Sequence, residues 1–135
     1  MTATSTIEAA KDALVIASRI LAHEGVCDAF GHVSLRNPEN PERFFLARAI
    51  APELVTGDDI IEFALDGTAI EDTRKPFLER FIHGTLMAAR PDVQSVVHSH
   101  SRGVIPFGVT GTPIRPLLHS CGVLGHDVPV WDAGD

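Results

Sequence analysis

Hydrophobic and polar positions predict a helix at the start of the chain. Ser5 and Glu8 form the pattern of a capping box, and Gly25 is a natural helix stop. Between them, apolar side chains recur on one helical face. These are Ile7, Ala10, Leu14, Ala17 and Leu21. The pattern therefore predicts an amphipathic helix over residues 5–23.

Short alternating or apolar runs predict strands in the middle of the chain. Asp66 and Gly67 form a hairpin signal between two of these runs. The run 93–100 is apolar until its histidines, which is typical of a central strand. The predicted strands are 32–36, 44–47, 60–65, 68–70 and 93–100.

A second helix is predicted from Pro76 to about Arg90, because proline suits the first helical turn. Its broad apolar face consists of Phe77, Phe81, Ile82, Leu86 and Ala88. After Ser101, glycines and prolines predict mostly loop with one short helix, and residues 128–130 are a candidate last strand. This order of elements predicts a layered α/β or α+β domain with a mixed sheet, and the whole chain, 1–135, as a single domain.

Composition narrows the class of protein. The chain has 135 residues, a net charge of −7 and no basic stripe, which argues against a nucleic-acid partner. No apolar run approaches the roughly 18 residues of a membrane span, and residues 1–12 do not resemble a targeting peptide. Two distant cysteines, Cys27 and Cys121, favour neither a disulfide scaffold nor a cysteine zinc site, so a cytoplasmic location is expected.

Histidines carry the strongest chemical signal. His98 and His100 flank Ser99 at the end of an apolar strand, where side chains at i and i+2 share one face about 6.6–6.8 Å apart along the chain. Two imidazoles so placed can converge on one metal ion. The alternative is a pair of polar residues at a solvated strand end. Seven histidines but only two lysines and no tyrosine favour histidine over lysine chemistry.

Glu79 is the second candidate, since it lies among apolar neighbours in the predicted helix. Its alternative is a solvated charge paired with Arg80 or His83. His83 shares a helical face with Glu79, so a second ligand pair is one alternative, but His83 is expected at the helix surface or behind the site. His126, beside Asp127 in a loop, is expected to be solvated, with a third metal ligand as its alternative.

Several segments together resemble the class II aldolase/adducin superfamily. They are 31–36 (GHVSLR), 51–55 (APELV), 61–67 (IEFALDG), 79–83 (ERFIH), 90–93 (RPDV) and 96–100 (VVHSH). Their order and spacing match from about residue 10 to the end. The resemblance implies a three-layer α/β/α class II aldolase-like domain with a mixed, mostly antiparallel central sheet. This chain would be its N-terminal portion, with a third metal histidine expected beyond residue 135.

The resemblance also implies a site and a cofactor. His98 and His100 would bind a divalent metal ion (Zn, Mn, Fe or Co), and Glu79 would be the acid/base group and an additional ligand of the resting metal. As a Lewis acid, the metal would stabilise an enolate-like intermediate. A homo-oligomer, typically a tetramer, is implied as well.

Departures from the sugar-phosphate aldolases favour the decarboxylase branch. Those aldolases hold phosphate with an asparagine, a Thr-Gly pair and a Ser-Ser pair, and in their places this chain has His32, Arg48-Ala49 and Phe77-Leu78. Where they place a tyrosine proton donor, it has His119. The segments 99–108 (SHSRGVIPFG) and 115–119 (RPLLH) also resemble that branch, which includes 3-hydroxy-2-methylpyridine-4,5-dicarboxylate and dihydroxyphthalate decarboxylases.

The sequence therefore predicts a metal-dependent lyase that decarboxylates a small hydroxy-aromatic or related hydroxy acid. Glu79 or His119 would supply the proton. Candidate substrate contacts are His32, Ser34, Arg48 and Arg115, with a surface ion pair as the alternative for each arginine and a loop-capping role for His32. The alternatives are an aldolase or epimerase acting on a sugar phosphate, a non-catalytic adducin-like binding module and an inactive fragment.

Overall fold

The structure is a computed structural model that describes residues 5–125 and 128–131. It divides into two units, residues 1–100 and 101–135, which are taken in turn. The prediction that the chain is one domain stays a prediction. No helix within the described ranges is long and apolar enough to cross a membrane.

The first unit is built on a four-stranded sheet flanked by two helices. Its elements are α1 (Thr6–His23), β1 (His32–Arg36), β2 (Arg43–Ala47), β3 (Ile60–Ala64), α2 (Arg80–Ala89) and β4 (Ser95–His98). The strand order is β3-β2-β1-β4, and every pair in it is antiparallel. Two short 3₁₀ helices, Pro52–Leu54 and Gly57–Asp59, connect β2 to β3.

The helix α1 covers one face of the sheet. The Ser5 side chain accepts a hydrogen bond from the Glu8 backbone at 3.2 Å, as the capping pattern predicts. Leu14 and Ala10 pack against Val33 and Phe45 from β1 and β2. Gly25 ends the segment with φ +67°, a conformation that favours glycine.

The opposite face carries α2, so the unit has the predicted three layers. Met87 of this helix packs with alternate residues of β2 and β3, among them Phe44 and Phe63. Buried Arg36 donates hydrogen bonds to the carbonyls of Met87 (2.8 Å) and Val93 (3.0 Å), which attaches the end of α2 to β1.

The predicted start and packing face of α2 are both wrong. Residues 75–76 pair with residues 48–49, through the Ala49 amide to the Lys75 carbonyl (2.9 Å), and this keeps Pro76 outside the helix. The helix faces the sheet through His83, Gly84 and Met87. Gly84 explains the choice, because a Cβ there would lie 2.2 Å from the Leu65 carbonyl oxygen. The predicted apolar face is therefore largely exposed, at Phe81, Ile82 and Leu86.

Two strand predictions also need correction. Strand β4 pairs with β1 alone among the described residues, so it is an edge strand of this sheet and not a central one. The return segment 68–70 follows the predicted turn at Gly67 but forms only a bridge, Ala69 to Phe63, besides its backbone hydrogen bonds.

The second unit contains a short helix, α3 (Ile105–Thr110), and a 3₁₀ helix, His119–Leu124. The helix α3 is the one short helix that the sequence predicts after Ser101. Residues 128–130, a candidate strand, have no regular secondary structure.

Candidate active site

Two imidazoles meet at the end of β4. His98 is the last residue of the strand, and His100 follows two positions later. Their Nε2 atoms lie 3.1 Å apart, and the rings stand edge to face with an interplanar angle of 89°. Nitrogens bound to one ion at about 2.0–2.1 Å, at a near-tetrahedral angle, would lie about 3.3–3.4 Å apart. The pair therefore fits two ligand positions of a small divalent ion, and it fits a direct hydrogen bond equally well.

Asp28 supports His100 from the loop before β1. One carboxylate oxygen accepts hydrogen bonds from the backbone of Phe30 (2.9 Å) and Gly31 (3.0 Å), while the other lies 3.4 Å from His100 Nδ1. Hydrogen bonding to the Phe30 backbone is the main cause that lowers the pKa of Asp28. A carboxylate on Nδ1 favours a lone pair on Nε2, the form that binds a metal. The sequence analysis missed Asp28. An aspartate in a loop is nevertheless a turn signal, because its side chain can accept a hydrogen bond from the backbone N–H two residues later.

Sheet register places a third imidazole beside this pair. His32 at the start of β1 is directly opposite His98, and the two rings stack with centroids 4.9 Å apart. The His32 ring also lies against the Phe77 ring, with centroids 4.2 Å apart. Burial is the largest cause that lowers the pKa of His32, to about 4, and the neighbouring His98 adds to it. His32 is therefore a neutral imidazole at physiological pH.

Behind His32 lies a buried polar chain that the sequence analysis did not find. His83 Nε2 is 2.8 Å from His32 Nδ1, and His83 Nδ1 is 2.7 Å from Ser34 Oγ. His83 has no exposed surface, which corrects the alternative that placed it at the helix surface. Burial lowers its pKa to about 3. Ser34 is fully buried too, and its hydroxyl contacts His83; its predicted role in substrate binding stays a prediction.

Glu79 precedes α2 instead of lying inside it, which corrects the predicted position. It is the N-cap residue of that helix, with a half-exposed side chain. Its Oε2 atom lies 3.9 Å from His32 Nε2, and that nitrogen is buried without a hydrogen-bond partner. Within residues 5–125 and 128–131, no group of three or more His, Cys, Asp or Glu could hold a metal ion. The structure thus assembles His98 with His100 but does not bring Glu79 in as a third ligand, and His126 lies outside the described residues.

Glu79 also borders a cavity of about 480 Å³. The walls are mainly apolar, and Lys75 contributes a cation. They consist of Ala29, Phe30, Ala49, Ile50, Ala51, Lys75, Pro76, Phe77, Leu78 and Glu79. Phe77 connects this cavity to the histidines, because its ring touches His32. Such walls suit a flat apolar body that carries negative charge.

The remaining predicted site residues lie apart from these groups or in the second unit. Arg48 donates to Asp59 at 2.6 Å, the ion pair that the sequence left open as its alternative. In the second unit, Arg115 lines a cavity of about 310 Å³ together with Phe107 and Ile114, and exposed His119 begins the 3₁₀ helix. The roles of Arg48, Arg115 and His119 stay predictions.

Comparison with known proteins gives consistent matches. The family model described as "Class II Aldolase and Adducin N-terminal domain" matches residues 12–135. Decarboxylase tropJ of Talaromyces stipitatus is 41% identical over 116 residues, which cover 84% of this chain and 44% of the relative. The 3,4-dihydroxyphthalate decarboxylase of Arthrobacter keyseri is 31% identical over 143 residues, covering 93% of this chain and 56% of the relative.

Solved structures agree with this fold. The L-fuculose 1-phosphate aldolase from Glaciozyma antarctica superposes with a TM-score of 0.77 at 31% identity, covering 92% of this chain and 54% of that one. The chain therefore spans about half the length of the curated relatives that it matches.

Proposed function

The chain belongs to the class II aldolase and adducin N-terminal domain family, and we propose that it forms part of a metal-dependent lyase that decarboxylates a hydroxy-aromatic or related hydroxy acid. The observation that carries the proposal is the His98–His100 pair, with Nε2 atoms 3.1 Å apart, beside His32 and Glu79. The names of two relatives, a 3,4-dihydroxyphthalate decarboxylase and Decarboxylase tropJ, support this reaction over aldol cleavage.

His98 and His100 would hold the metal, and Asp28 would keep His100 in the ligating form. A divalent ion, when bound, supplies a Lewis acid that stabilises negative charge on substrate oxygens. The chain's own contribution is two oriented imidazoles at a strand end, where the β1–β4 register fixes their position. Zinc, manganese, iron and cobalt all accept such donors.

The cavity beside Glu79 would take the substrate. Phe30, Phe77 and Ile50 offer apolar surface to a ring, while Lys75 offers a cation to a carboxylate. The attraction between Lys75 and a carboxylate is stronger beside such a mostly apolar wall than in bulk water, because the local dielectric is lower. The aldolase's substrate, a sugar phosphate by its name, is strongly hydrated and suits these walls less well.

Proton delivery falls to Glu79. Loss of carbon dioxide breaks one carbon–carbon bond and leaves its electron pair on the substrate. A proton must then reach that carbon, and the Glu79 carboxyl group borders the cavity where the substrate would lie. His119 stays a predicted alternative donor.

Two measurements test the function. Elemental analysis of the chain, purified without added metal or chelator, should find near-stoichiometric zinc, manganese, iron or cobalt, and His98→Gln should reduce it. Carbon dioxide release from 3,4-dihydroxyphthalate should exceed turnover of L-fuculose 1-phosphate. His23→Gln, at an exposed histidine of α1, is the matched control. Turnover of the sugar phosphate alone would overturn the decarboxylase proposal in favour of an aldolase.

We also propose that the protein is a homo-oligomer. Apolar side chains are exposed on both helices, with Ile16 and Ile20 on α1 and Phe81 and Ile82 on α2. Exposed apolar surface of this kind often marks a protein interface. Light scattering coupled to size exclusion should give a mass near that of a tetramer, and a monomer at all concentrations would contradict it.

A further inference from the structure

One carboxylate joins the histidine pair to the wall of the substrate cavity. Asp28 lies in the turn before β1, and its two oxygens face different partners. One oxygen accepts hydrogen bonds from the backbone N–H groups of Phe30 (2.9 Å) and Gly31 (3.0 Å). The other lies 3.4 Å from Nδ1 of His100. The same side chain therefore contacts a proposed metal ligand and the backbone of Phe30, which lines the cavity.

The turn that carries Asp28 is short and closed. Besides its contact with the side chain, the Gly31 amide donates a hydrogen bond to the Asp28 carbonyl at 3.2 Å. A Cβ at Gly31 would lie 2.7 Å from the Cβ of Cys27, so the turn folds back directly on the residue before Asp28. Because so tight a turn has little freedom to absorb a displacement of Asp28, we expect the displacement to reach Phe30.

Phe30 has free aromatic surface at the cavity. The residue is 70% exposed although it lines the cavity of about 480 Å³. Phe77, the other aromatic residue among these walls, is already buried. A flat ring bound in the cavity can therefore gain new contact from Phe30, and a small shift of Phe30 changes how much contact it gains.

The contact between Asp28 and His100 has room to shorten. An ionised carboxylate only accepts hydrogen bonds, so a hydrogen bond here places the hydrogen on Nδ1 of His100 and leaves Nε2 for a metal ion. Charge-assisted N–H···O bonds are about 2.7–2.9 Å long, about 0.5 Å shorter than the present 3.4 Å. A divalent ion on Nε2 withdraws electron density from the ring and makes Nδ1–H a stronger donor, which draws Asp28 toward His100.

We infer that Asp28 couples the metal pair to Phe30, so that a metal ion on His98 and His100 and an aromatic ring against Phe30 bind cooperatively. The coupling rests on the proposed function for the presence of the metal and of the ring. Phe30 is then a specificity-determining residue, and Asp28 is the positioning residue behind it. Such coupling is reciprocal, because the metal strengthens ring binding by the same factor by which the ring strengthens metal binding.

Binding of indole with and without zinc tests the coupling. Indole is a flat, neutral ring that is a poor zinc ligand and carries no charge for the ion to attract. Calorimetry on the full chain should give an indole affinity about 5-fold higher with zinc bound. Chelator competition should give a zinc affinity raised by the same factor when indole is present. Equal indole affinities with and without zinc, in a chain that binds zinc, would overturn the inference and leave the proposed function standing.

Asp28→Asn separates the two contacts of the carboxylate. Its amide oxygen can still accept hydrogen bonds from the Phe30 and Gly31 backbone, whereas its NH₂ group cannot accept one from His100 Nδ1. The indole affinity without zinc should therefore keep its wild-type value, while saturating zinc should no longer raise it. If saturating zinc still raises the indole affinity about 5-fold in this variant, the coupling does not pass through Asp28 and the inference is wrong.

Phe30→Leu tests the ring contact at an exposed position, where folding should be preserved. Its zinc affinity without indole should match that of the wild-type chain, while its indole affinity and the effect of zinc on that affinity should both fall. His23→Gln, at an exposed histidine of α1, should keep both wild-type values. An unchanged effect of zinc in Phe30→Leu would overturn the inference, as would a wild-type chain that does not bind indole. A wild-type chain that binds no zinc would overturn the inference and the proposed metal site together.

Discussion

Acidification should destabilise the first unit through His83. The side chain has no exposed surface, and burial lowers its pKa to about 3, so the folded chain holds it neutral. In the unfolded chain its pKa returns to about 6.5. The unfolded state therefore binds the proton first as the pH falls. Stability from this group is complete above about pH 6.5 and is lost progressively between that value and about pH 3.

The size of the effect follows from these two pKa values. At pH 5, the unfolded imidazole is almost fully protonated and the folded one is almost fully neutral. The difference corresponds to about 2 kcal/mol of unfolding free energy lost between pH 7 and pH 5. That is a large part of the stability of a typical small domain, about 5–15 kcal/mol.

Urea unfolding followed by circular dichroism, at pH 7 and at pH 5, measures this loss. His83→Gln keeps a polar group that can bond Ser34 and His32 but cannot titrate, so it should lose about 2 kcal/mol less than the wild-type chain over this interval. His23→Gln removes an exposed histidine and should keep the wild-type pH dependence. If His83→Gln loses as much stability as the wild-type chain, the buried neutral imidazole is not the source.

Four further substitutions and one control test the site and the fold. Asp28→Asn should weaken zinc binding about 10-fold, because it removes the carboxylate behind His100, and His98→Gln should weaken it more. Chelator competition measures both zinc affinities, and unchanged affinities would contradict the ligand pair. Glu79→Gln should bind zinc like the wild-type chain but lower decarboxylation about 10²–10⁴-fold in a carbon dioxide assay, so an unimpaired rate would exclude Glu79 as the proton donor. Gly84→Ala should destabilise the chain by about 1–3 kcal/mol in urea unfolding, because its Cβ meets the Leu65 carbonyl, although alanine favours helices. The control Gly108→Ala in α3, where a Cβ has open space, should not destabilise the chain.

Sequence alone predicts the features that depend on local pattern. The helix α1 has its cap, its apolar stripe and its stop within residues 5–25, so its bounds agree with the prediction to one residue. The strand β1 has exactly its predicted range, and the convergence of His98 and His100 follows from side-chain direction in extended backbone. None of these features depends on which distant segment packs nearby.

The errors concern features that tertiary contacts decide. Pro76 suits a helix start locally, but pairing of residues 75–76 with residues 48–49 takes it into extended structure, and Glu79 becomes an N-cap. The side of α2 that faces the sheet is likewise chosen by the close approach at Gly84. His83 is buried as a consequence, and no periodicity of apolar residues could have shown it.

The site depends on the β1–β4 register more than on any loop. His32 stacks on His98 because the two residues are paired across the sheet, and Ser34 lies under His83 because it is two positions further along the same face of β1. A one-residue slip of β1 would turn both His32 and Ser34 to the α1 side of the sheet. His32 would then lose its contacts with His98, His83 and Glu79 together, and Ser34 would lose its contact with His83. One strand pairing thus couples the metal ligands to the proposed acid/base group, although 19 to 21 residues separate Glu79 from the two histidines in sequence.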